Sequence, residues 1–480
     1  MTTARSVSSA VAPPGPVRGG PRLVLLAALL GFFLISLDAL IVTVALPDIG
    51  RGLGGGMSGL QWVVDGYTLM FAALMLSAGA LCDRIGARRA FGGGLVLFAL
   101  ASMACGSAPG LAVLVAARLV QGAAAAVMMP ASLALVRQNY PDRAERARAI
   151  AVWTVGGAVA VAAGPVVGGA LTASAGWRWI FFVNLPAALL ALALLARVPR
   201  SPRLPARLDG TGQVTAVLAL GGLTYGVIEG GAEGFGRPMV LGSLLVAVAA
   251  AVTFLFAQAR GDRPMLPLLL FRTRVVAVSL VVGFMLNAAY YGGVFVFSLY
   301  LQQERGQSAL QAGVLFIPMT ALVAVVNLAS ARLAARFGPR VPLIAGQLVG
   351  VVGLLTLLTV GGGTDVRVVA VLMVPVGLGG ALAVPALTAM LLDVVPADRA
   401  GTAGAVLNTA RQVGGAIAVA VYGALLAGAG TFLAGMRWSV LVAAAGLLAT
   451  AAATLTLPRP GGRTQDGGAP GGPAAQADAA

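Results

Sequence analysis

The chain has 480 residues, 59% of them hydrophobic and 10% charged, with a mean hydropathy of +0.93. That much apolar surface exceeds what a water-soluble core encloses. The formal net charge of +16 comes from arginine alone, since the chain has no lysine or histidine. A nucleic-acid module gathers such charge on one soluble face, whereas here it is scattered over short loops and tails, which excludes nucleic-acid binding.

Fourteen apolar stretches follow in chain order: 23–46, 60–81, 91–107, 111–136, 149–171, 179–196, 212–228, 239–257, 275–301, 309–331, 341–360, 368–392, 402–426 and 438–457. About 20 apolar residues cross a hydrocarbon core of about 30 Å, and a helix satisfies its own backbone there. The fold class is therefore an all-α polytopic membrane protein. The pair 212–228 and 239–257 is the weakest, and a reading without it has twelve spans.

Arginine gives the orientation. Placing the N-terminus inside leaves Arg51, Arg178, Arg237, Arg305, Arg367 and Arg437 in outer loops and Arg118 and Arg411 within spans. All the others of the 32 lie in the tails and inner loops. That is the positive-inside pattern, with both termini cytoplasmic. Residues 1–22 lack a small-residue cleavage site after a short apolar core, so 23–46 reads as a retained span rather than a signal peptide. The Gly/Ala/Pro-rich stretch 458–480 reads as a disordered cytoplasmic tail.

The domain organisation is then an N-terminal tail (1–22), a six-helix bundle (23–197) and a basic, proline-rich linker (198–211). Two inserted helices (212–258), a second linker (259–274), a second six-helix bundle (275–457) and the tail complete it. Two six-helix halves around a long connection are a transporter layout. Cys82 and Cys105 sit about 34 Å apart by helix rise, beyond disulfide reach. With two distant cysteines and no histidine, no metal site is expected, and a proton relay must use carboxylates.

Several strings carry chemistry. Residues 79–89 read GALCDRIGARR, a tight turn whose Asp83 either pairs with arginines or a helix end of the opposite bundle or belongs to a plain solvated basic loop. Residues 114–126 read LVAARLVQGAAAA and place Arg118 about seven residues, roughly 10 Å, inside the outer boundary. An intramembrane arginine costs at least about 2.5 kcal/mol, so it is either functional or paired, or it snorkels outward. Residues 37–47 read LDALIVTVALP and put Asp38 about 13 Å from the outer end. Similar depths on neighbouring helices make Asp38 and Arg118 a candidate pair, for proton coupling or as a structural bridge. Residues 160–169 read AVAAGPVVGG, where small residues allow close helix approach and Pro165 removes a backbone donor.

Together these strings resemble the major facilitator superfamily, specifically its fourteen-span drug:proton antiporter branch, over residues 23–457. WRWIFFVNLP (177–186), QWVVDGY (61–67) and SLYLQQ (298–303) are similar to that branch as well. Departures are Ala87, Leu40, Thr43 and Ala160, where a basic residue, Thr, Asn and Gly are usual. The resemblance implies a proton-coupled efflux antiporter working by alternating access, usually a monomer, in a bacterial plasma membrane. It implies proton coupling by Asp38, Arg118 and Asp65, and a cytoplasmic gate of Gly79, Asp83, Arg84, Gly86 and Arg88. It ties the antiporter string, with Gly164, Pro165, Gly168 and Gly169, to export rather than uptake.

Candidate cavity residues are Trp62, Tyr67, Trp153, Asn287, Tyr290, Tyr291 and Arg411. Asp38 and Asp65 beside aromatic faces would favour lipophilic cations, whereas a cavity-facing Arg411 would favour anionic or neutral substrates. Each aromatic also has a plainer reading as helix packing or interfacial belt. No G-x-x-x-x-G-K-[ST] loop exists, so no nucleotide or other cofactor is expected. One proton moving down 100 mV releases about 2.3 kcal/mol. Rival readings are a dedicated exporter of one endogenous metabolite, an uptake symporter, a non-transporting membrane sensor and an integral membrane enzyme. The last needs catalytic carboxylate pairs, histidines or metal ligands that this composition hardly supplies.

Overall fold

The computed structural model describes residues 20–203, 209–261, 265–266, 272–396 and 399–457. The expected tail 458–480, most of the tail 1–22 and parts of both linkers lie outside the described residues. The rest forms fourteen long apolar helices, so the weak pair is present. They are α1 (Pro21–Leu53), α2 (Gly56–Ile85), α3 (Ala87–Gly106), α4 (Leu111–Asn139), α5 (Arg143–Ala175), α6 (Trp179–Ala196) and α7 (Gly210–Glu233). The series continues with α8 (Pro238–Arg260), α9 (Arg274–Glu304), α10 (Ala309–Phe337), α11 (Arg340–Leu357), α12 (Val366–Val394), α13 (Ala400–Gly428) and α14 (Phe432–Leu455).

Local chemistry sets where they start and break. The Asp142 carboxylate accepts from the Glu145 amide at 2.8 Å and starts α5 six residues before the apolar stretch does. That amide, chiefly, holds the Asp142 carboxyl below the usual carboxylate range. Asp209 starts α7 in the same way, and Ser308 with Gln311 forms a capping box at α10. Breaks at Val183, Phe316 and Met373 each fall two or three residues before a proline (Pro186, Pro318 and Pro375), which lacks an N–H and crowds the preceding turn. Gly86 turns the chain between α2 and α3 at φ +89°, a conformation that side chains resist.

Helices α1–α6 pack as one half and α9–α14 as the other. In a bilayer no hydrophobic force pulls helices together, so close approach rests on small residues. A Cβ on Gly122 would stand 2.2 Å from the Tyr67 carbonyl oxygen, and one on Gly414 would stand 2.2 Å from that of Phe284. Backbones touch there, α4 on α2 and α13 on α9. The halves meet along two seams, α2 with α13 and α5 with α10. The inserted hairpin α7–α8 lays α7 across the first seam, against both α2 and α13. Helix α8 turns Leu241, Leu245, Val248, Val252 and Leu255 outward, as a lipid-facing helix does.

The seams are asymmetric along the helix axes. Towards the arginine-poor end, Ser298 Oγ donates to the Thr43 carbonyl (2.8 Å) and Gln302 Nε2 to that of Val44 (2.9 Å). Gln61 Nε2 donates to the Ala420 (2.7 Å) and Val419 (3.1 Å) carbonyls. A Cβ on Gly169 would meet the Ala309 oxygen at 2.4 Å, and one on Gly313 the Pro165 oxygen at 2.3 Å. Towards the arginine-rich end, the hydrogen bonds between the halves among the described residues are two weak ones, from Asn408 to the Met75 and Met129 sulfurs. The molecule is therefore sealed at its arginine-poor end.

Candidate functional site

Asp38 and Arg118 form a buried ion pair inside the first half, between the carboxylate Oδ2 and Nη1. Five helices converge on it. Asp38 Oδ1 accepts from Gln121 Nε2 and Asn184 Nδ2, both at 2.8 Å. Arg118 also donates through Nη1 to Gln121 Oε1 (2.8 Å) and through Nε to the Val63 carbonyl (3.0 Å). Ser102 Oγ accepts from Asn184 at 3.0 Å and donates to the Phe181 carbonyl at 2.8 Å. The guanidinium carbon lies 4.5 Å from the centre of the Tyr67 ring, and Tyr67 donates its hydroxyl proton to the Ile35 carbonyl at 3.0 Å. All these side chains are shut off from solvent, so the pair depends on its hydrogen-bonded shell to offset desolvation.

Asp65 has a different setting. Its Oδ1 accepts from Thr68 Oγ1 at 3.4 Å, and its buried Oδ2 has no partner among the described residues. One helical turn away on the same face, Gln61 reaches into α13, so Asp65 sits on the side of α2 that faces that seam.

A cavity of about 260 Å³ lies between the halves. Its wall includes Phe32, Ile35, Ser36 and Ala39 of α1, Thr154 and Gly157 of α5, Tyr290 and Tyr291 of α9, Asn327 of α10 and Asn408 and Arg411 of α13. Asn287 completes it, accepting from Arg411 Nε at 3.1 Å. Four of the seven expected cavity residues, Asn287, Tyr290, Tyr291 and Arg411, thus reach the wall.

Trp62, Tyr67 and Trp153 do not. Trp62 donates its indole N–H to Glu229 of α7 at 2.9 Å, at the hairpin contact. Tyr67 is turned into the first half, over Arg118. Trp153 stacks on Phe32 at 4.0 Å and donates to Ser132, so Phe32 takes the cavity position in front of it. Asp38 and Asp65 are also absent from the wall. At about 100° per residue, the face of α1 that carries Ile35, Ser36 and Ala39 turns Asp38 away from the cavity. The expected pair of cavity carboxylates is therefore corrected: no acidic side chain lines it among the described residues.

The gate string is unlatched. Asp83 and Arg84 are exposed, and Asp83 has no ion-pair partner among the described residues. Arg88 instead binds within its own half, to the Leu195 (3.2 Å) and Ala196 (3.1 Å) carbonyls at the end of α6. A Cβ on Gly79 would meet open space, so no close approach explains that glycine. The antiporter string is engaged: Gly164 and Gly168 press on Leu40 and Ile41 of α1, while Pro165 and Gly169 meet α10 of the other half.

Sequence reasoning left Gln121, Asn184, Ser102 and Glu229 without roles. Gln121 and Asn184 both stood inside strings already singled out, and their amides were the available signal. Glu229 lay unremarked near the outer end of a span.

Two six-helix halves with a central cavity, sealed at one end and carrying a buried ion pair in one half, define a membrane transporter. The chain matches the Major Facilitator Superfamily over residues 28–419, and it belongs to that family. It is 36% identical to the Methylenomycin A resistance protein of Bacillus subtilis, over 87% of this chain and 90% of that one. It is 40% identical to the multidrug resistance protein Stp of Mycobacterium tuberculosis, over 84% and 76%. Its fold matches a bacterial homolog of the human lysosomal transporter Spinster in an inward-facing, occupied conformation, with a TM-score of 0.65, 17% identity and coverage of 92% and 97%.

Proposed function

We propose that this chain exports lipophilic drugs or antibiotics across a bacterial plasma membrane in exchange for protons, as a monomer without a cofactor and with both termini cytoplasmic. The resistance proteins it resembles support the export of antibiotics. The single observation that carries proton coupling is the Asp38–Arg118 pair, an ionisable couple enclosed in one moving half.

In this reading the described state is open to the cytoplasm, because the arginine-rich end is the inner one. Substrate enters the central cavity. A proton reaching Asp38 from outside weakens its hold on Arg118 and loosens the shell of Gln121 and Asn184. The unpartnered Asp65 oxygen has a place for a second proton beside the α2–α13 seam. When the halves rock, the contacts of Gly169 and Gly313 separate, and Asp83 becomes available to latch the inner side. A dedicated exporter of one endogenous metabolite uses the same machinery, and a non-transporting sensor would show no flux.

The test is efflux of Nile red, a neutral lipophilic dye, from cells with an imposed pH gradient, comparing wild type with Asp38→Asn. Gradient-driven efflux lost in the variant is the expected result. Full efflux in Asp38→Asn would remove Asp38 from coupling, and dye retention in the wild type would favour the dedicated exporter.

A further inference from the structure

The cavity wall carries one formal charge among the described residues, and it is positive. Arg411 is held through Nε alone, by Asn287 Oδ1 at 3.1 Å, and forms no ion pair with a described residue. Its two terminal nitrogens hydrogen-bond to none of them. A guanidinium fork of that kind matches a carboxylate in two parallel hydrogen bonds. Tyr290 also lines the cavity, with its hydroxyl buried out of reach of it and without a partner among the described residues. Tyr291 packs edge-on against it, ring centres 5.5 Å apart. Phe32, Ile35, Phe71, Leu286 and Val384 add apolar surface to the wall. Among the described residues, no carboxylate lines the cavity to attract a cation.

We propose that the cavity selects molecules with a flat apolar body and an acidic group, the acid bound by the Arg411 guanidinium. This deepens the export reading by naming a substrate class, and it rests on the central cavity being the transport site. The carboxylate takes the two Arg411 terminal N–H groups, while Asn287 keeps the guanidinium plane fixed through Nε. The cavity, about 260 Å³, takes a small molecule of a few fused rings. A lipophilic cation entering the same cavity meets like charge at the one charged side chain among the described lining residues. The buried Asp38 carboxylate is already neutralised by Arg118 and gives it no help.

The test is equilibrium binding to the purified full-length chain, with no gradient imposed. Three fluorescent probes share a naphthalene body and carry a butyrate, a butyramide or a butylammonium chain. At about pH 7.5 the butyrate is ionised and the amine is protonated. The butyrate is expected to bind at least about tenfold tighter than the ammonium probe, with the amide between them, the range of a charged hydrogen bond. Arg411→Gln should remove the butyrate's advantage while leaving the amide's affinity within about twofold. That amide arm shows that the cavity is intact in the variant. Arg411→Lys should restore part of the advantage, because it returns charge without the fork. Tighter binding of the ammonium probe by wild type overturns the proposal. An unchanged butyrate-to-ammonium ratio in Arg411→Gln does so as well. Neither readout needs flux or proton coupling, so a chain that fails to export the dye can still pass. An exporter that prefers the ammonium probe fails here alone.

Discussion

Asp38 on α1 and Arg118 on α4, 80 positions apart in the chain, meet inside the first half and not in the cavity between the halves. The two chemistries of the molecule are thereby separated: the carboxylate–guanidinium couple is enclosed by one moving body, and ligand-sized space lies outside it. Ile35 of α1, whose carbonyl holds Tyr67, and Phe71 of α2, whose ring packs on Tyr67 at 5.9 Å, both line the cavity and so connect the two.

Breaking that couple from one side leaves an uncompensated buried charge, which costs about 3–5 kcal/mol. Asp38→Ala should lower thermal stability strongly. Asp38→Asn should lower it less, because an amide still meets Gln121 and Asn184. Adding Arg118→Ala to Asp38→Ala should recover much of the loss. A thermal-melt double-mutant cycle measures the coupling, and additive losses would remove the case for a direct interaction.

The α5–α10 contact should set the balance between the sealed and open arrangements. Gly313→Ala puts a methyl group 2.3 Å from the Pro165 oxygen, and such overpacking costs about 1–3 kcal/mol. Introduced with Val44→Cys in a chain lacking Cys82 and Cys105, it should speed labelling by an impermeant maleimide added outside. Unchanged labelling would mean that the seal rests on Ser298, Gln302 and Gln61 instead.

Asp83 is exposed here and holds no partner among the described residues, so Asp83→Asn should move the melting stability by less than about 0.5 kcal/mol. Its effect belongs to the opposite state, and gradient-driven efflux should fall. Lost stability with full efflux would place its work in the present state.

Glu229 fastens the inserted hairpin by accepting from Ser58 (2.8 Å) and Trp62 (2.9 Å). Glu229→Gln should cost about 1 kcal/mol and shift the emission of Trp62 to the red, with efflux largely kept. Abolished efflux at unchanged stability would give Glu229 a part in transport itself.

The spans were readable because a bilayer imposes length and apolarity on every crossing helix. The similar depths of Asp38 and Arg118 came from counting residues to the span ends, and the structure pairs them. Which way a side chain turns was less legible. Trp153 and Tyr67 look like Tyr290 and Tyr291 in the sequence, since hydropathy in an all-apolar helix carries no period that marks a cavity face. Asp65 and Asp38 were given to the cavity for the same reason. The amides of Gln121 and Asn184 acquire meaning only when α1, α3, α4 and α6 converge, and no local spacing encodes that convergence.

The hairpin α7–α8 covers the α2–α13 seam and leaves the α5–α10 seam bare. On the bare side, Thr154 is exposed and also lines the cavity, with Gly157, Val323 and Asn327 nearby. A twelve-helix arrangement would present two equivalent flanks to the bilayer, and this one presents a single flank. The exposed Thr154 and the cavity behind it thus face the one flank that the two added helices leave uncovered.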